Sequence, residues 1–123
     1  MLHIMLRPKS LANDPTDPLG RTYSGWDPLD SYEENWANNH GYYTMGDRAA
    51  LETYVLFSFR RTGRIVMAGE IDDVVDAAGK PGKRIVEGRL LHRTHSIWQR
   101  FVGERTPEHC LVRNPVTYPE LKY

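Results

Sequence analysis

Beginning at Tyr54 the chain carries three apolar runs in succession, YVLFSF, RIVMAGEI and RIVEGRLL, and no other feature limits its fold as much. Arg61-Thr62-Gly63 separates the first two, and Lys80-Pro81-Gly82 precedes the third. Val55, Phe57 and Phe59 fall on one side of a period-two pattern, and Ile65, Met67 and Gly69 fall opposite Val66, Ala68 and Glu70. A helix would fit the length, but the β-branched and aromatic content and the bracketing glycines favour strands. Three consecutive strands joined by glycine-bearing turns are the core of a small barrel.

The 123 residues are one domain's worth, and a balance of 40% apolar and 26% charged residues is ordinary for a folded chain. Sixteen basic and sixteen acidic residues cancel, so an anionic partner must be held by a local patch and not by the field of the whole molecule. Cys110 is the single cysteine and has no partner for an intrachain disulfide. The opening MLHIML is too short for a signal peptide and lacks a small-residue cleavage site, and no apolar run reaches membrane length. The expected location is the cytoplasm.

Leu2–Leu6 reads as a first strand, followed by a proline-stiffened loop over residues 7–29 that contains Tyr23 and Trp26. Asp30-Ser31-Tyr32-Glu33-Glu34 offers an N-cap and an acidic first turn for a short helix through Asn38, stopped by Asn39 and Gly41, with Tyr32 and Trp36 on one face. Gly41–Met45 reads as a strand, and Asp47 as the cap of a brief helix over Arg48–Glu52. Past Leu91 the pattern weakens: His92–Gln99 reads as a loop with one turn, Trp98 and Phe101-Val102-Gly103 as the start of a strand, and Leu111–Val116 as the strand that closes the sheet. No internal repeat or low-complexity tract is present.

The succession GYYTMGDRAALETYVLFSF, GRIVMAGEID, GKRIVEGRLL and VGERTPEHCLVRNPVTY resembles the EVE-like domain of the PUA-like superfamily, in the form fused ahead of HNH nuclease domains in modification-dependent restriction proteins. The likeness runs over Trp36–Tyr118 and rests on Gly46-Asp47-Arg48-Ala49, Ala68-Gly69-Glu70-Ile71, Glu87-Gly88-Arg89-Leu90 and Arg113-Asn114-Pro115-Val116, in that order. It implies an α+β, mostly β fold, a PUA-like/EVE-like small β-barrel with short helices and a long N-terminal loop, as a single domain over residues 1–123. The chain stops at Tyr123, leaving no room for a nuclease, so the resemblance implies a reader without its cutter, either a free-standing module or a domain excised from a larger protein, with an HNH-type nuclease domain or subunit as the partner it suggests.

The same resemblance implies a non-catalytic nucleic-acid-binding domain that needs no cofactor or membrane and holds a flipped base, modified cytosine in DNA above all. Such a task needs aromatic faces to stack on, polar groups aimed at the base edge, and cations for the flanking phosphates. Tyr23, Trp26, Trp36, Tyr42 and Tyr43 are candidate walls, although Trp36, Tyr42 and Tyr43 serve equally well as plugs of a small core. Trp26, between Gly25 and Asp27-Pro28, is the least needed by a core and so the better stacking surface. Asn114 offers a donor and an acceptor for a base edge, or a turn before Pro115; Ser24 is a further contact. Arg48, Arg61, Lys83, Arg93 and Arg113 are candidate phosphate ligands, against the plainer reading that basic turn residues only solvate hairpin ends.

Catalysis finds thin support. His92, His95, His109 and Cys110 match no standard zinc spacing, Cys110 lacks a clear histidine base, and no phosphate-cradling loop, HExxH or serine elbow occurs. The rival readings are an RNA- or small-ligand-binding module on the same barrel, or a protein-interaction domain without a base pocket. Convergence of the cations and the N-terminal aromatics on one mouth would favour the reader; scatter would favour the interaction domain.

Overall fold

The computed structural model describes residues 1–123. A six-stranded sheet is formed by β1 (Leu2–Leu6), β4 (Tyr43–Thr44), β5 (Tyr54–Phe59), β6 (Arg64–Asp76), β7 (Lys83–Leu90) and β8 (Val116–Thr117), in the order β4-β7-β6-β5-β1-β8. The sheet curls into a nearly closed, barrel-like wall whose two edge strands are only two residues long. β1 runs parallel to β5, from Leu2 opposite Val55 to Leu6 opposite Phe59, whereas the other neighbours are antiparallel. A parallel pair needs a long crossover, and the residues between β1 and β5 supply it.

That crossover is more ordered than the expected loop over residues 7–29. It contains the ribbon β2 (Ser10–Leu11) and β3 (Tyr23–Ser24), with Ser10 opposite Ser24, and then α1 (Tyr32–Asn39). Within the expected capping segment it is Ser31 that caps α1, in a reciprocal capping box with Glu34. Asn35 and Asn39 lie one turn apart and each clasps extended backbone: Asn35 accepts from the Asp27 amide and donates to its carbonyl, and Asn39 does the same at Gly25. The opposite edge of that backbone bonds Arg7 and Lys9 through Trp26, so the segment is held on both sides. A Cβ on Gly25 would lie 2.5 Å from the Pro8 carbonyl oxygen and 2.7 Å from that of Arg7, which is why a glycine stands there.

The expected alternation along YVLFSF is absent, because Val55 through Phe59 are all buried. Trp36 sits edge-on to Phe57, its ring lying over Gly69 where any side chain would collide with it. The other face is closed by a polar chain: Thr106 donates to the Ser58 hydroxyl, Ser58 meets His3 Nε2 at 2.8 Å, and His3 Nδ1 meets Thr117 at 3.2 Å. A strand covered on both faces reads as continuous apolar sequence, not as alternation.

Three further expectations are corrected. The segment read as loop and then strand is a helix, α2 (Ser96–Phe101), whose N-cap is His95, accepting from the Ile97 amide. Histidine is an uncommon cap, so the usual start signal was missing. Leu111–Val116 is not a strand over its length; only Val116–Thr117 pairs, with β1. The brief helix after β4 is a 3-10 turn over Asp47–Leu51 with no side-chain cap. No helix is long and apolar enough to cross a membrane.

Candidate functional site

Since β4 and β8 are the unpaired edges of a wall that almost closes, a seam remains between them. A cavity of about 380 Å³ opens there, within the size range of ordinary ligand sites. Tyr42 and Tyr43 flank it from the β4 side, Arg113 and Pro115 from the β8 side, and Met5, Leu6 and Arg7 from the end of β1. The β2–β3 ribbon covers it with Ser10 and Ser24, which are paired across the ribbon and so present two hydroxyls side by side. Arg21 and Arg60 complete its charged lining.

Four arginines line this cavity and no carboxylate does. Arg21 is the structural member: its Nε donates to Asp17 at 2.8 Å and its Nη1 to the carbonyls of Asn38 and Gly41, tying the loop to the end of α1. Arg7, Arg60 and Arg113 are exposed and have no ion-pair partner. Arg60 donates only to the Val112 carbonyl. In a chain without net charge, this concave surface is therefore a local source of positive potential.

The two tyrosines are fixed by their hydroxyls. Tyr43 donates to the Asn39 carbonyl at 2.7 Å, and its burial pushes the phenol far above its usual range. Tyr42 donates to Asp14, which also accepts from Lys80 and Thr16. These bonds, Tyr42 first, hold the Asp14 carboxyl well below the usual carboxylate range and push Tyr42 up. Arg21 and Lys80 sit 5.2 Å and 5.6 Å from the Tyr42 ring centre, within reach of its π system, while the hydrogen bond to Asp14 keeps the phenol protonated against the pull of the Lys80 charge.

Of the expected base-binding residues, Tyr42 and Tyr43 reach the cavity, as does Ser24. Trp26 does not: it is buried in the main core, and the expectation that a loop tryptophan is free of the core fails because the clasped backbone turns it inward. Trp36 stacks on His40 and packs on the sheet. Tyr23 is exposed on the outside of the ribbon under Lys9, and Asn114 is exposed, accepting from the Val116 amide in a turn that leads into β8.

Among the expected phosphate ligands, Arg113 lines the cavity and Arg61 occupies the β5–β6 turn beside Arg60. Arg48 lies over the Tyr118 ring near Glu52, Lys83 pairs with Thr44 at the far end of the β6–β7 hairpin, and Arg93 flanks a separate hollow beside Tyr32 and Trp98. Asn39, an amide that reads equally as a helix stop, also lines the cavity, and Arg7, Arg21 and Ser10 are lining residues that sequence reasoning missed. Their common address depends on the parallel β1–β5 pairing, which leaves no local signal.

No group of three or more His, Cys, Asp or Glu side chains could hold a metal ion. Ser58 and His3 stand at the distance of a nucleophile and its base, but both are fully buried, and burial lowers the His3 imidazole to about 4. The Cys110 thiol is buried in a 3-10 turn and raised by desolvation, the reverse of an activated thiolate. Comparison with protein-family models, curated proteins and solved structures finds no match for this chain.

Proposed function

We propose that this chain is a non-catalytic nucleic-acid-binding module that takes one unstacked base into the seam cavity while arginines hold the adjoining phosphates. A single observation carries the reading: a 380 Å³ cavity with four arginines, two tyrosines and no carboxylate, in a chain of zero net charge. Guanidinium groups are suited to phosphate oxygens, and the Ser10 and Ser24 hydroxyls supply donors and acceptors for a base edge. The finer fold assignment, an EVE-like member of the PUA-like superfamily acting in the cytoplasm beside an HNH-type nuclease, rests on the sequence resemblance, and modified cytosine in DNA is the first base to test.

The test is fluorescence anisotropy with oligonucleotides carrying plain or modified cytosine, at low and high salt. R60Q/R113Q is expected to weaken binding about tenfold or more, since charge-assisted bonds contribute about 1.5–3 kcal/mol each. S10A/S24A is expected to erase any preference between the two bases while keeping most of the affinity. Unchanged binding by folded R60Q/R113Q would remove the seam as the site.

A further inference from the structure

The arginines do not end at the seam. Because β1 and β5 are parallel, both leave the sheet at the same rim, each directly into an arginine, Arg7 and Arg60. β8 is antiparallel to β1, with Ile4 opposite Val116, so continuing the register brings Arg113 level with Arg7 at that rim. β6 begins there with Arg64, which pairs with Phe59 on one side and bridges Arg105 on the other. Across five neighbouring backbone segments the order is therefore Arg113, Arg7, Arg60, Arg64, Arg105, with Arg61 at the turn tip. Neighbouring segments lie about 4.8 Å apart, so the row runs for about 19 Å around the rim.

All six of these arginines are exposed, and none forms an ion pair. Elsewhere Lys9, Lys80, Arg84 and Arg89 each meet a carboxylate, and the cations that do not, Lys83, Arg93, Arg100 and Lys122, are not on the row. The row opens at one end on the seam cavity and at the other on a second hollow of about 580 Å³, lined by Arg64, Arg105, Thr62 and Thr106. Glu108 also lines that hollow, but pairs with neither arginine.

We infer that this row is a backbone track for a single nucleic-acid strand, which enters the seam with one base and lays its following phosphates along Arg60, Arg64 and Arg105 into the second hollow. The inference rests on the function proposed above and specifies its polymer. A file one cation wide fits one chain of phosphates, and a single strand offers its bases to the seam without the cost of leaving a duplex.

The experiment measures affinity and salt dependence for thymidine monophosphate and for oligothymidylates up to twelve residues, with a matched duplex and polyglutamate as competitors. Affinity is expected to climb with length until the row is spanned. R64Q/R105Q is expected to lower twelve-mer affinity about tenfold, to reduce the slope of log K against log salt by about 1.4, and to leave the mononucleotide unchanged. Twelve-mer binding by folded R64Q/R105Q that matches the parent protein overturns the track and leaves the seam reading intact. Loss in R64Q/R105Q with no loss in R60Q/R113Q removes the seam and, because Arg60 and Arg113 belong to the row, overturns the continuous track as well. Equal competition by polyglutamate, or a duplex binding more tightly than the single strand, also overturns the inference.

Discussion

His3 is the residue whose chemistry is most altered by folding. Its Nε2 faces Ser58, which takes the Thr106 proton as acceptor and so has its own to give; the imidazole then donates from Nδ1 to Thr117. That order satisfies every group only when the ring is neutral. Burial first, and the positive charge of His109 second, lower its pKa from 6.5 to about 4. The unfolded chain binds this proton below pH 6.5 and the folded chain only near pH 4, so the stabilisation is complete above pH 6.5 and lost as pH falls through that window. The loss amounts to about 3 kcal/mol. Urea midpoints between pH 7 and pH 4 check it, and the His3→Gln protein is expected to show a flatter pH dependence over that interval whatever its absolute stability.

At the scale of elements, α1 acts as a neighbouring strand through its asparagines. Asn39→Ala leaves the amide and carbonyl of Gly25 and the carbonyl of Asn35 without that partner, and is expected to cost about 2–3 kcal/mol in urea denaturation. Asn38→Ala, one position away and only half-buried, is expected to stay within about 0.5 kcal/mol. The contrast shows what a sequence reveals at this scale. The helix from Ser31 and the strands from Tyr54 to Leu90 follow from caps, turns and β-branched content, because those causes are local. The clasp on Gly25 and Asp27 was illegible: Asn39 reads as a helix stop, and nothing nearby in the chain says that it grips a segment 14 residues earlier. Trp26 was misread for the same reason, since the clasp decides which way it faces.

For the whole molecule, what was legible was the absence of net charge, and what was not was its segregation. Along the β6–β7 hairpin Asp72, Asp73, Asp76 and Glu87 are offset by Lys80, Lys83, Arg84 and Arg89, while six arginines without ion-pair partners gather at the opposite end of β6. A protein so divided is expected to be retained on a cation exchanger at pH 7 despite a formal charge of zero. R60E/R113E is expected to abolish retention, whereas K83E/R93E, an equal change in total charge, leaves most of it; equal loss in both would refute a focused patch. The open seam bears also on self-association. Two bare strand edges invite pairing with another copy, and proteins commonly blunt such edges by shortening them and by posting charges beside them. Here both edges are two residues long, and Arg113 stands at the head of one. The groups that would welcome a polyanion thus also repel a sister molecule, so neutralising them to study binding would remove a guard against aggregation.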